Sequence, residues 1–326
     1  MPSAIDVVHL VKRFNGVTAV DDISLAVEPG EIFGFLGPNG AGKTTTINIL
    51  CTLLHPTSGA AHVAGFDVAT HAREVRRAIG IIFQDPSLDE RLTAEENLEF
   101  HGLLYHVPRR RRRAQIAALL TLVQLEDRRH DHVRTFSGGM KRRLEIARGL
   151  IHEPQVLFLD EPTQGLDPQT RTHIWDYIEH LRAGRPITTF MTTHYMDEAE
   201  HCDRIAIIDH GRIIAMDTPA GLKRAIGGDI VTLSTADDAA AAREITARFG
   251  LTPLVEGDDG LRFEVADGRA FLPRLLKECA VPVKTVDLRR PTLDDVFLKL
   301  TGRAIRESGA SSTDQLRTAS RRLNQR

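Results

Sequence analysis

The chain has 326 residues, 42% hydrophobic and 26% charged, with a formal net charge of −2. That length predicts about two domains of ordinary globular composition, and the balanced charge excludes a bulk electrostatic pull toward nucleic acid or anionic lipid. No apolar run reaches the roughly 18 residues a bilayer span requires, the opening MPSAIDVVHLVKRF lacks a signal-peptide layout, and Cys51, Cys202 and Cys279 have no metal or CxxC spacing, so the expectation is a cytoplasmic chain with reduced, buried thiols.

Up to about Leu222, short apolar runs alternate with helical patterns. In chain order the runs are EIFGFLG (31–37), AIGIIF (78–83), VLFLDE (156–161), ITTFMTT (187–193) and RIAIID (204–209). This alternation predicts an α/β unit with a mostly parallel sheet flanked by helices. From Gln84 to Ser137 the pattern is wholly helical, in TAEENLEFHGLLYH and PRRRRRAQIAALLTLVQL, so a helical insert is expected at about 85–150. GGD at 227–229 punctuates the chain. A first unit over 1–226 is therefore expected to give way to a small α+β unit over 229–302. That second unit reads strand, helix, two strands, helix, strand, helix, with helices at Asp237–Phe249 and Ala270–Cys279 and a strand at 262–265. The polar, Ser/Arg-rich remainder, 303–326, is expected to be a mobile tail.

The first chemical motif is GPNGAGKTT: Gly37, Pro38, Asn39, Gly40, Ala41, Gly42, Lys43, Thr44 and Thr45. It follows an apolar strand and opens a helix. Glycines let successive backbone N–H groups curl around a phosphate, and the helix N-terminus adds favourable partial charge. Lys43 is the group that reaches the outer phosphates, and Thr44 offers a hydroxyl to Mg²⁺. The second motif is VLFLDEPTQGLDP, where a strand ends in Asp160 and Glu161. Asp160 suits Mg²⁺ ligation, direct or through a bound water, and Glu161 suits a general base that activates water. Acidic residues at a strand end also serve solubility alone, and the two motifs together leave many P-loop NTPases open.

The stretch FSGGMKRRLEIARGL narrows the choice. Ser137 is a good N-cap, yet two glycines follow it, and adjacent glycines resist ordering. This stretch lies 23 residues before Asp160 and resembles the signature sequence of ABC-transporter ATPases. The resemblance covers about residues 4–222. Gln84 in IIFQD resembles that family's Q-loop, Gly165–Pro168 its D-loop, His194 in MTTHYMDEAE its switch histidine, and Phe14 the aromatic that stacks on adenine. It implies a P-loop NTPase cassette with a mixed sheet core, an antiparallel β subdomain and a helical insert. It also implies a head-to-tail homodimer in which each ATP lies between the P-loop of one copy and Ser137, Gly138 and Gly139 of the other. On that basis Lys43 binds phosphates, and Thr44, Gln84 and Asp160 hold Mg²⁺. Glu161 polarises water, His194 contacts the γ-phosphate and Asp167 couples the two sites. Without these surroundings His194 reads as a satisfied buried histidine and Phe14 as core.

Phe136 and Met140 stand where the family has Leu and Gln. SGGMKRR, EPTQGLDPQTR and the ending PTLDDVFLKLTGR (291–303) are similar to the daunorubicin-resistance type of drug exporter and to lipid exporters. The resemblance implies an ATPase subunit at the cytoplasmic face of the membrane, energising a separate integral-membrane permease that exports a drug, antibiotic or lipid-like substrate, with no nucleic-acid partner. A non-transport ABC ATPase and an importer subunit are the alternatives. Arg109–Arg113 and the bases Lys141, Arg142 and Arg143 are expected to be solvated helix surface. Leu92, Leu98 and Phe100 are either core or a groove for the permease.

Overall fold

The computed structural model describes residues 2–84, 87–184, 187–257 and 260–302. The expected tail at 303–326 lies outside the described residues. The chain opens with β1 (Ile5–Phe14), β2 (Val17–Val27) and β3 (Ile32–Leu36), followed by α1 (Lys43–Leu50), β4 (Ser58–Val63), β5 (Phe66–Asp67), α2 (Ala72–Ala78) and β6 (Ile79–Ile82). A helical stretch comes next, with α3 (Ala94–Leu104), α4 (Arg109–Leu122) and α5 (Gly138–Leu150). Then come β7 (Val156–Asp160), α6 (Pro168–Gly184), β8 (Thr188–Thr193), α7 (Met196–Ala199), β9 (Arg204–Asp209), β10 (Arg212–Asp217) and α8 (Pro219–Ile226). The last elements are β11 (Asp229–Thr235), α9 (Asp238–Phe249), β12 (Val255–Gly257), β13 (Gly260–Val265), α10 (Gly268–Glu278), β14 (Val283–Arg289) and α11 (Leu293–Thr301).

The class is α/β. A six-stranded sheet has the order β10-β9-β3-β8-β7-β6, parallel throughout except for the edge strand β10. Its central strands β3, β7 and β8 are buried along their whole length, as continuous apolar runs between two covered faces should be. Strand alternation divides the core. Phe33, Phe35, Phe158 and Phe190 face a cluster shared with β1 and β2, where the Phe190 ring lies 5.5–5.7 Å from the other three. Ile32, Leu36, Leu157, Leu159 and Met191 face the helical side. β2, β1, β4 and β5 form a separate antiparallel sheet, in that order.

The helical insert docks through α3, α4 and α5. Thr93 and Glu96 close a reciprocal capping box at the start of α3, which fixes where that helix begins. Leu98 is fully buried, Leu92 is half-buried and Phe100 is 57% exposed, so the three residues divide between core and surface. The arginine run departs from expectation at one position. Arg112 is buried, donates to Val107 O at 2.7 Å and pairs with Glu99 at 2.7 Å, while its four neighbours are exposed. Five consecutive helical residues point around all faces, so one of them must face inward.

The C-terminal elements form a second four-stranded sheet, β12-β13-β11-β14, a split βαβ arrangement. Val231, Leu233, Phe263 and Leu275 are central to its own core. Helix α11 does not belong to that core. Its Leu293, Val296 and Phe297 are buried in the first unit's helical-side cluster with Leu222, Ile226 and Ile230, and Lys299 Nζ donates to Ile226 O at 2.8 Å. Cys51 and Cys202 are buried free thiols, but Cys279 is only half-buried, because it caps α10 at the rim of the smaller core.

Candidate active site

Three adjacent parallel strands deliver the site. β3, β8 and β7 neighbour one another, and their C-terminal ends carry the loop at Gly37, then His194, then Asp160 and Glu161. Ligands of open α/β sheets bind at this edge. The glycine loop is shaped by steric need at two positions. A Cβ on Gly37 would lie 2.3 Å from Ile208 O, and one on Gly42, where φ is +108°, would lie 2.4 Å from Ala19 O. No side chain fits either place.

Lys43 starts α1 and is buried. Its ammonium donates to Gly37 O at 2.8 Å and Pro38 O at 3.2 Å, and lies 3.3 Å from Glu161 Oε1. Burial lowers its pKa, and Glu161 and Asp160 oppose that effect. Asp160 is buried and accepts from Thr192 Oγ1 at 2.5 Å. Burial raises its pKa, against the hydroxyls of Thr192 and Thr44. Glu161 turns the chain with φ at +47°, and its N–H donates to Thr192 O at 3.1 Å. Its carboxylate lies 3.2 Å from His194 Nδ1, at ion-pair distance but without hydrogen-bond alignment. Burial would raise its pKa, yet His194 and Lys43 outweigh that and hold it below the usual value. Glu161 is therefore ionised near neutrality and can accept a proton.

A cavity of about 250 Å³ is lined by Asn39, Gly40, Gly42, Lys43, Thr44, Thr45, Gln84 and Glu161. Gln84 Nε2 donates to Gln164 Oε1 across its mouth. The sequence reading missed Gln164, Thr192, Thr193 and Glu198. Thr193 Oγ1 donates to the buried Glu198 at 2.5 Å, and burial pushes that carboxyl up to about 7. The signal for the two threonines was available, since a fully buried strand, TTFMTT, ends in paired hydroxyls directly before His194.

Gly37, Pro38, Ala41, Asp160 and His194 are not in its lining, but Asp160 and His194 adjoin it through Thr44 and Glu161. Phe14, Ser137, Gly138, Gly139 and Asp167 do not line it either. Phe14 is 41% exposed, with Lys12 Nζ 4.9 Å above its ring, so it is not core. Ser137 caps α5, accepting from Met140 N at 3.3 Å. A Cβ on Gly138 would meet nothing within 4 Å, whereas one on Gly139 would lie 2.7 Å from Thr170 Cγ2. Thr170 is itself held by Asp167, whose carboxylate accepts from its Oγ1 at 2.6 Å and its N–H at 3.0 Å. Met140 packs against the helical-side core, which accounts for an apolar residue there. The three bases that follow are not solvated as expected. Lys141 pairs with Glu90 at 2.5 Å, Arg143 donates to Val123 O at 3.1 Å, and Arg142 is buried, 5% exposed.

Residues 20–164 match the ABC transporter family, and residues 218–301 match the C-terminal domain of the DrrA1-3-like ATP-binding proteins. The chain is 44% identical over 310 residues to the daunorubicin resistance ATP-binding protein DrrA3 of Streptomyces coeruleorubidus, covering 92% of this chain and 96% of that one. It is 40% identical to the Nod factor export ATP-binding protein I of Burkholderia lata, covering 94% and 100%. Among solved structures, it resembles an ATP-binding subunit of an ABC transporter (TM-score 0.63, 30% identity, covering 69% and 94%). It also resembles the dimeric post-hydrolysis cassette MJ0796 bound to ADP and Pi (TM-score 0.60, 26% identity, covering 66% and 98%). With a phosphate-binding loop, an ionised carboxylate beside it and relatives along nearly its whole length, the chain belongs to the ATP-binding proteins of ABC transporters and is an ATPase.

Proposed function

We propose that this chain is the ATP-hydrolysing subunit of an exporter, working as a head-to-tail homodimer at the cytoplasmic face of the membrane beneath a permease encoded as a separate chain. The observation that carries the dimer is a separation. Lys43, Thr44, Gln84 and Glu161 share one cavity, while Ser137 and Gly138 lie outside it with open space at the α5 N-terminus. An exposed helix N-terminus stripped of side chain suits the phosphates of a second copy's ATP. The exporter reading follows from the drug-resistance and Nod-factor-export relatives, whose similarity runs through the C-terminal unit. A drug, antibiotic or lipid-like cargo fits those relatives. Phe100, Leu103 and Leu104 are each more than half exposed on α3 and suit a surface that receives the permease.

In the proposed reaction Lys43 leaves its carbonyl ligands for the outer phosphates, and Glu161 orients the attacking water and takes its proton. Positioning and charge neutralisation carry most of phosphoryl transfer. His194, fixed beside Glu161 at 3.2 Å, faces the γ-phosphate, Phe14 stacks on adenine and Asp167 couples the two sites. Thr44, Gln84 and Asp160 offer only oxygen donors, and the Thr44 hydroxyl already contacts Asp160. Those donors fit Mg²⁺, which takes the rest of its shell from phosphate and water. When bound, Mg²⁺ supplies charge neutralisation on the phosphate oxygens. The test is Glu161→Gln. It is expected to bind ATP and to lose about 100-fold or more in turnover. Hydrolysis at the parent rate would show that Glu161 is not the base.

A further inference from the structure

The strongest unassigned feature is the buried guanidinium of Arg142. It sits five residues after Ser137 in the first turns of α5. Its Nε donates to Pro162 O at 2.5 Å, and its Nη2 reaches Asp160 O and Glu161 O, both at 3.4 Å. Its Nη1 donates to Phe83 O at 2.5 Å and to Glu145 Oε2 at 3.1 Å. One side chain therefore holds the backbone of both carboxylates and the residue next to Gln84. Glu145 is fully buried, and its other oxygen accepts from Ser87 N, three residues after Gln84, at 2.7 Å. Arg148 completes the row, donating to Ser87 O at 2.6 Å and Ser87 Oγ at 2.5 Å.

Burying a cation is costly unless every donor is matched. A guanidinium has five donors in a rigid fork, and here they meet four carbonyls and a carboxylate. A solvated base would meet none of these. The same helix that carries Arg142 ends at Ser137 and Gly138, and a helix transmits a displacement of its end to a side chain one turn away.

We infer that Arg142 is a positioning residue: it fastens residues 160–162 and the backbone beside Gln84 to the signature helix, so that ATP of the second copy, engaging Ser137 and Gly138, sets Glu161 and Gln84 in this one. The inference rests on the head-to-tail dimer proposed above. It makes hydrolysis at the two sites cooperative through one side chain that touches neither nucleotide.

The test uses the full chain and a non-hydrolysable ATP analogue, with dimerisation followed by sedimentation and backbone hydrogen exchange followed by peptide. In the parent, the analogue is expected to drive dimerisation and to slow exchange at 137–142 and 156–166 together. Arg142→Gln is expected to dimerise with analogue affinity within about twofold of the parent and to slow exchange at 137–142 but not at 156–166. Its kcat should fall about 10- to 100-fold, the scale of a small misplacement at a reacting centre, and the Hill coefficient for ATP should fall to about 1. Arg142→Lys keeps the charge but not the fork and should behave like Arg142→Gln.

Slowed exchange at both segments, an unchanged kcat, or a loss of analogue affinity in step with kcat would each overturn the inference. If the parent itself does not dimerise, the head-to-tail reading fails and this one falls with it. Should Arg142→Gln not fold, Glu145→Gln decides with the same measurements. It should lower kcat by about 3- to 10-fold at unchanged affinity, and parent kinetics would refute the role.

Discussion

Replacing Gly138 and Gly139 separately with alanine should divide stability from activity. Both sit in the first turn of α5, where alanine is favoured over glycine by about 0.5–1 kcal/mol. At Gly138 the new methyl meets nothing within 4 Å, so Gly138→Ala should be as stable as the parent or up to about 1 kcal/mol more stable. At Gly139 it would lie 2.7 Å from Thr170 Cγ2, about 1 Å inside carbon–carbon contact. Thr170 has little freedom to turn aside, because Asp167 holds both its hydroxyl and its N–H. Overpacking costs about 1–3 kcal/mol, so Gly139→Ala should lose about 0–2 kcal/mol net once the propensity gain is subtracted. Turnover should follow a different order. The Gly138 methyl occupies the space from which backbone N–H groups would meet a second copy's phosphate. Losing one hydrogen bond to a charged group costs about 1.5–3 kcal/mol, or about 10- to 100-fold in rate. Urea unfolding and steady-state ATP hydrolysis measure the two effects. A stable Gly138→Ala chain that hydrolyses ATP at the parent rate would refute the proposal that this helix end contacts nucleotide.

Three further outcomes are expected. Glu198 holds its proton to about pH 7 when folded against 4.5 otherwise. Its contribution is therefore complete below pH 4.5 and is lost as pH rises through 7, about 3 kcal/mol in all. Glu198→Gln should flatten the fall in stability between pH 5 and 8 measured by denaturant titration, and a fall as steep as the parent's would contradict the assignment. Phe14→Ala removes a half-exposed ring, so it should weaken ATP binding by about 3- to 10-fold while leaving the unfolding midpoint unchanged; calorimetric titration with nucleotide checks this. Asp295 is fully buried and bound to Arg289 at 2.5 and 2.8 Å. Asp295→Ala should cost about 3–5 kcal/mol, read as a drop in thermal midpoint, and a midpoint within a degree of the parent would show that the pair anchors nothing.

What was legible in the sequence was local. The loop at 37–45 and the carboxylates at 160 and 161 announce themselves because their chemistry needs consecutive residues of fixed type. The central strands read correctly because strands buried on both faces are uninterrupted apolar runs. Arg142 did not read correctly, because nothing within a helical turn distinguishes it from Lys141. Its partners Phe83 and Pro162 are 59 and 20 residues away, and only the tertiary fold brings those carbonyls inward. Gly139 was read only as a place of approach for another chain, yet Thr170 of its own chain already requires it. The second core was expected from the βαββαβ pattern, but α11 carries the same amphipathic signal whichever core it joins.

The return of α11 to the first core has a consequence for biosynthesis. Leu293, Val296 and Phe297 lie at 0%, 3% and 1% exposure in that core, and burying three such side chains is worth about 5–9 kcal/mol before entropy, comparable to the whole net stability of a domain. Residues 293–297 must therefore be synthesised before this face of the first core can be covered. A stop between the two cores would leave Leu222, Ile226 and Ile230 without these partners, exposing apolar surface that favours degradation. Helix α11 thus ties the stability of the ATP-binding unit to synthesis of the chain as far as residue 301.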